Sequence, residues 1–233
     1  MVGLCEAKQL FRIVFLLGPP GSGKGEIGKF LSNRFRVPTF SCGDLLREQI
    51  AKANNSGGES SGSSKLASQI REIINAGNIV PARITVELML DKLQQIHEQS
   101  GKNLVIIDGF PRNMDNYDTF ETMAKNKAEI HRVLYLKCPK EVCFDRCYKR
   151  GVAAESSGEI KREDDSEEII RERIRKDWEN TGPVHRLLMQ LGLITEINSN
   201  QELEAMCDEA EGVFSQLLIS GKENSPDLCA QSS

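Results

Sequence analysis

The sequence predicts an α/β fold built on a parallel sheet. Three observations carry this. Short apolar runs recur along the chain: "FRIVFLL" (11–17), "LVIID" (104–108) and "RVLYLKC" (132–138). Amphipathic helical patterns lie between them. The first run ends in a glycine-rich stretch, "GPPGSGKG" (18–25), which leads into one of those helices. Apolar strands alternating with amphipathic helices are the pattern of a parallel sheet with both faces covered.

Taken in order, residues 11–17 have the continuous apolar character of a buried strand. Ile27, Phe30, Leu31 and Phe35 then repeat at helical spacing. "VPTFS" (37–41) is a further strand candidate. Val86, Met89, Leu93 and Ile96 predict a helix over 83–99. The 104–108 and 132–138 runs follow, and "LITEI" (193–197) is a weaker fifth candidate. Leu203, Met206, Ala210, Val213 and Leu217 trace a helical stripe near the end. Three segments break the rhythm. "ANNSGGESSGSSK" (53–65) is expected to be a mobile surface loop and "GVAAESSGEIKREDD" (151–165) a second polar loop. "SGKENSPDLCAQSS" (220–233) is expected to be a disordered tail, leaving 1–219 as one domain.

A chain of 233 residues can bury one good core. Its net charge is −4, with a sequence pI near 5.6, which argues against a nucleic-acid binder, since duplex affinity comes largely from neutralising phosphates with Lys and Arg. No apolar run is long enough to cross a membrane. The opening "MVGLCEAKQLF" lacks the regions of a signal peptide. The expected location is the cytoplasm, with the nucleus also open, and the expected partners are small molecules rather than nucleic acid or membrane. Seven cysteines are an odd number, so they cannot form a complete internal disulfide set, and they read as small buried hydrophobes.

The arrangement strand, Gly18-x-x-Gly21-x-Gly23-Lys24, helix can grip a polyphosphate. The glycines let backbone N–H groups converge without side-chain obstruction. The helix presents its positive end, and Lys24 adds a full charge. The usual loop of this kind follows its lysine with a hydroxyl residue that helps hold Mg²⁺. Here Gly25 and Glu26 follow.

Beyond this loop, the chain carries "SCGDLLRE" (41–48), "GNIVP" (77–81), "DGFPRNMDN" (108–116), "DRCYKRG" (145–151), "REDD" (162–165) and "RERI" (171–174). With these motifs, from about Phe11 to Leu217, the sequence resembles the adenylate kinase superfamily of nucleoside monophosphate kinases, and within it the UMP-CMP kinases. Gly25 is normal there. The resemblance implies a P-loop kinase with a five-stranded parallel sheet, helices on both faces, a flap over about 42–80 and a lid over about 150–162. It implies transfer of the γ-phosphoryl group of Mg·ATP to CMP or UMP, with dCMP a slower acceptor, by a monomer. An adenylate kinase acting on AMP, or a nucleotide-binding protein with little turnover, are the alternatives.

The same resemblance assigns residues. ATP would be held by Gly21, Ser22, Gly23, Lys24, Gly25 and Glu26, with Arg146 and Arg150 at the base of the lid. The monophosphate would meet Ser41, Cys42, Arg47, Ile79, Val80, Gly109, Arg112 and Asn116. Arg162 and Arg173 would bridge both phosphate groups, so that Lys24, Arg112, Arg150, Arg162 and Arg173 carry the catalysis. The need for arginines is physical. Two nucleotides bring several negative charges face to face, and cations must cancel the repulsion and absorb transition-state charge. Asp108 ends an apolar strand, where a carboxylate can hold Mg²⁺ through water; a turn cap is its other use. The histidines His97, His131 and His185 match no family catalytic position.

Asn116 stands where adenylate kinases have Gln and UMP-CMP kinases have Asn. An amide offers donor and acceptor, so by flipping it could serve cytosine or uracil. Cys42 resembles the small apolar residue of UMP-CMP kinases at its position. Three features depart from the family. Glu26 replaces Thr, and Lys29 could pair with it at i+3. The loop before Lys65 is long, with Ala67 where Gly is common. The lid between Arg150 and Arg162 is longer than the short UMP-CMP pattern and has no cysteines, so the zinc-bearing lid is not expected.

Overall fold

In the computed structural model, residues 10–55, 62–76, 78–157 and 166–223 are described. Strand β1 (Phe11–Leu17) is buried at all but one position, as its unbroken apolar run requires. Successive side chains of a strand point to opposite faces, and here each face meets its own helices. The elements that follow are α1 (Lys24–Phe35), β2 (Thr39–Ser41), α2 (Cys42–Asn55), α3 (Gly62–Asn75), α4 (Ala82–Ser100), β3 (Leu104–Asp108), α5 (Met114–Met123), β4 (Ala128–Lys137), α6 (Lys140–Ser157), α7 (Glu167–Gln190), β5 (Ile194–Asn198) and α8 (Leu203–Glu223). The five strands form one sheet in the order β2-β3-β1-β4-β5, and every pairing is parallel.

Ile13, Phe15 and Leu17 face one side, against Met89 and Leu93 of α4, Phe120 of α5 and Val184 and Leu188 of α7. Val14 and Leu16 face the other, against Ile27 and Leu31 of α1 and Met206, Ala210 and Phe214 of α8. Burying each large apolar side chain contributes about 1.5–3 kcal/mol relative to exposure, so this two-sided core fixes the register of the sheet. A smaller cluster of Leu46, Ile70 and Val80, with Ile50, Ile73 and Ile74 packed on it, gives the flap helices α2 and α3 a core of their own. Among the described residues no helix is long and apolar enough to cross a membrane.

β1 and β4 are neighbours whose outgoing connections run to opposite sides of the sheet. In open α/β sheets such a switch point leaves a crevice at the carboxyl ends of the strands. The glycine loop after β1 and Asp108 at the end of β3 both reach it.

Three expectations about irregular segments need correction. Residues 151–157 are not loop but the last turns of α6, where Ala153, Ala154 and Glu155 are strong helix formers. Helices also reach into 53–65 from both sides, and only 56–61 lie outside the described residues. Residues 220–223 of the expected tail belong to α8, which continues through Glu223. A helix nucleated against the sheet extends cheaply beyond a buried side chain such as Leu217. Residues 158–165, with Arg162, and 224–233 lie outside the described residues.

Candidate active site

The glycine loop turns sharply enough to need its glycines. Gly21 has φ +83°, and a Cβ there would stand 2.3 Å from the Cys143 carbonyl oxygen of α6. Gly25 differs, since a Cβ there would meet nothing within 4 Å. Lys24 folds back over the loop and donates from Nζ to the carbonyls of Gly18 (2.7 Å) and Pro19 (2.9 Å). Ser22 is fully buried, and its carbonyl accepts from Ser199 Oγ at 2.5 Å. Ser199 in turn holds Arg146, whose Nη1 lies 2.9 Å from the Ser199 carbonyl and 3.2 Å from its hydroxyl. Arg146 Nη2 also donates to the Gln201 carbonyl at 3.3 Å. The segment after β5 thus docks the loop and one arginine together.

A cavity of about 530 Å³ opens over this loop. Gly21, Gly23, Lys24, Gly25 and Glu26 line one side, and Ser41 at the end of β2 with Arg47, Ile79 and Val80 of the flap line another. Asp108, Gly109, Arg112, Arg146, Arg150 and Arg173 complete the wall among the expected residues. Two expected residues, Cys42 and Asn116, line a recess of about 20 Å³ that shares Gly43, Leu46, Ile79, Val80, Gly109 and Arg112 with the main cavity. Ser22 lines neither. Five of the six arginines of the sequence reading therefore gather in one cleft, drawn from α2, the β3–α5 turn, α6 and α7.

The arginines are held by local bonds. Arg47 pairs with Asp44 at 2.5 Å, one turn back on α2. Arg112 Nε donates to the Gly109 carbonyl at 3.0 Å. The turn carrying Arg112 is closed by two asparagines. Asn113 caps α5 by accepting from the Asn116 N–H at 2.8 Å, and Asn116 Oδ1 accepts from the Arg112 N–H at 3.1 Å. This refines the expectation of a flipping amide. A flip would set the NH₂ group against the Arg112 N–H, so the oxygen is fixed inward. Asn116 Nδ2, buried and without a hydrogen-bond partner, is left as a donor. Cys42 beside it is buried, and that burial pushes its thiol up to about 12, so the recess keeps a neutral sulfur at this wall.

Glu26 reaches the cavity wall on the first turn of α1, where Lys29 stands 3.7 Å away. The two side chains are 60% and 74% exposed, so solvent screens the Glu26 charge. Lys176 of α7 spans the cleft edge to the flap, donating to Asn78 Oδ1 at 2.6 Å and the Ala76 carbonyl at 3.3 Å. This holds the segment that carries Ile79 and Val80 over the recess.

Sequence reasoning missed Asp177 and Thr181. Both line the main cavity with Arg173, from one face of α7. The i,i+4 spacing of Arg173, Asp177 and Thr181 was the available signal. Burial raises the Asp177 carboxyl above its ordinary value, although Lys24, Arg112 and Arg173 pull it down.

Comparison with known proteins agrees with this geometry. A family model described as adenylate kinase matches residues 16–191. A UMP-CMP kinase of Sus scrofa is 32% identical over 204 residues, covering 87% of this chain and 96% of that protein. The Homo sapiens UMP-CMP kinase is 32% identical over 203 residues, with the same coverage. UMP-CMP kinase 2 of Caenorhabditis elegans is 32% identical over 205 residues, covering 88% and 97% of the two chains. With the glycine loop, the parallel sheet and the arginine-lined cleft in agreement with them, this chain belongs to the adenylate kinase family.

Proposed function

We propose that the protein transfers the γ-phosphoryl group of Mg·ATP to CMP or UMP, giving ADP and CDP or UDP. The observation that supports this most is the single cleft that joins the glycine loop and Lys24 to five arginines and to a recess bearing one buried amide donor. Positioning and electrostatic stabilisation are what phosphoryl transfer asks of a protein.

In this reading, Lys24 exchanges the Gly18 and Pro19 carbonyls for phosphate oxygens. Arg47 exchanges Asp44 for the acceptor phosphate, and Arg112 binds the same group. Arg150 and Arg173 meet the transferring phosphoryl from the opposite wall, and Arg162 joins them from the lid. Arg146, tied to Ser199 and Gln201, acts from a fixed position on the ATP side. No general base is needed, because the second pKa of a phosphate monoester is about 6 and the attacking oxygen is already largely ionised.

The site suits Mg²⁺ held mainly by phosphate and water. Asp108 offers one hard carboxylate at the cleft wall, and among the described residues no group of three or more His, Cys, Asp or Glu could hold an ion alone. When bound, Mg²⁺ neutralises charge on the β- and γ-phosphates. The fixed Nδ2 donor of Asn116 can meet O2 or N3 of cytosine and a carbonyl oxygen of uracil without flipping. We expect a monomer acting in the cytoplasm, with the nucleus also open.

ADP release from Mg·ATP, with CMP, UMP, dCMP, AMP and GMP supplied singly, tests the proposal. Turnover with CMP and UMP well above AMP supports it. Preference for AMP would overturn the acceptor assignment. ATP binding without turnover on any acceptor would leave a nucleotide-binding protein.

A further inference from the structure

Lys176 takes no part in the phosphate contacts above, yet it ties the flap to α7. A lysine ammonium has three hydrogens, and three acceptors surround Lys176 Nζ: Asn78 Oδ1 at 2.6 Å, Glu172 Oε1 at 3.2 Å and the Ala76 carbonyl at 3.3 Å. Glu172 lies one turn back on α7. Asn78 and Ala76 belong to the flap, 98 and 100 residues away in the chain.

Both ends of this tie are firmly mounted. The Ala76 N–H donates to the Glu72 carbonyl at 3.1 Å and the Asn78 N–H to the Ile73 carbonyl at 2.9 Å, so the turn moves with α3. The flap core of Leu46, Ile70 and Val80 is separate from the two clusters that flank the sheet. A unit with its own core can shift as a body. Val80 joins that core to the recess, whose wall it lines with Ile79. On the other side, α7 packs Val184 and Leu188 against the sheet and carries Arg173 one turn before Lys176. Lys176 itself lines the main cavity with its side chain 24% exposed, so water can take the place of its flap partners.

We propose that Lys176 is a positioning residue for the pyrimidine monophosphate: its bonds to Asn78 and Ala76 hold the flap over the recess before the acceptor arrives, and their exchange for water lets the flap lift when the product leaves. The proposal rests on the transfer reading above. A site already held in its binding arrangement spends less of its affinity on closing, so the tie tightens acceptor binding without touching the acceptor. The same bonds must break for release, so they restrain turnover. The glycine loop lies outside the flap, and ATP is held there without this tie.

The test compares Lys176→Met, Asn78→Ala and the double variant in the full chain. Methionine keeps the apolar stem, and Glu172 keeps Arg175 at 2.8 Å, so no carboxylate is left unpaired. The readouts are Kd for CMP and for ATP by calorimetry, and kcat at saturating Mg·ATP. Lys176→Met is expected to raise Kd for CMP about fivefold, less than the loss of a fully buried charged hydrogen bond, because Asn78 is exposed. Asn78→Ala leaves the Ala76 carbonyl to the lysine and raises it less. The double variant should match Lys176→Met alone, since both changes remove one interaction. Kd for ATP should hold in all three, and kcat should not fall. An unchanged Kd for CMP in Lys176→Met, effects that multiply in the double variant, an equal loss for ATP or a fall in kcat overturns the proposal and leaves the transfer reading intact. A wild type that neither binds nor turns over CMP and UMP defeats both.

Discussion

Asn116→Asp changes one atom pair in the recess and reverses its hydrogen-bonding sense. The side chain is 3% exposed, and its Oδ1 is committed to the Arg112 N–H at 3.1 Å. An aspartate keeps that bond and the size of the residue. It replaces the Nδ2 donor with a second acceptor, set against an acceptor on the pyrimidine. The lost hydrogen bond is worth about 0.5–1.5 kcal/mol, and two buried acceptors left facing each other add about 1–3 kcal/mol. The sum, about 1.5–4.5 kcal/mol, corresponds to a loss of roughly 10- to 2,000-fold in kcat/KM for CMP and UMP. KM for ATP should hold, because the recess does not include the glycine loop. Burial raises the pKa of the new carboxyl, and once protonated it regains a donor, so the loss should shrink as pH falls. The assay is kcat/KM for CMP and UMP at saturating Mg·ATP across pH, with a melting curve to confirm folding. A folded variant with less than threefold loss would refute the reasoning.

Two further predictions concern the glycine loop. Gly21→Ala places a Cβ 2.3 Å from the Cys143 carbonyl at a backbone φ of +83°; the left-handed conformation alone costs about 1–2 kcal/mol, so a lower melting temperature and weakened ATP binding are expected, measured by calorimetry. Gly25→Ala, with open space at its Cβ, should retain the wild-type melting temperature. Glu26→Thr removes an exposed charge already beside Lys29, so KM for ATP should fall by no more than about threefold; a larger fall would mean that the carboxylate faces the phosphates.

Strands β1, β3 and β4 were legible because each is a short apolar run, as the middle of a parallel sheet buried on both faces demands; β2 (TFS) and β5 (ITEIN) lie at the sheet edges, are less buried, and gave weaker signals. The flanking helices α1, α4 and α8 were legible from stripes such as Ile27, Leu31 and Phe35. The ends were not. Nothing in 151–157 marks a stop, and α6 runs on through residues that favour helix. The glycine loop and most of the arginines were legible as motifs. Their partners were not, because they come from distant parts of the chain. Ser199 lies 177 residues from Ser22, whose carbonyl it binds. Thr181 meets the Arg112 carbonyl across 69 residues. Asn116 was found from its position in a motif, but its orientation depends on a backbone N–H that only the folded turn brings to it. Asp177 escaped notice because a single Asp on a charged helix looks like a solvated surface residue, and only packing turns it toward the cleft.

The central claim is that the γ-phosphoryl group passes to a pyrimidine nucleoside monophosphate. The most direct measurement follows the label from γ-³²P-ATP with Mg²⁺ and an equimolar mixture of CMP, UMP and AMP, resolving the products by chromatography. The account predicts label in CDP and UDP, little in ADP formed from AMP, and little in inorganic phosphate. Label mainly in ADP, or released as free phosphate while CMP and UMP stay unchanged, would contradict it.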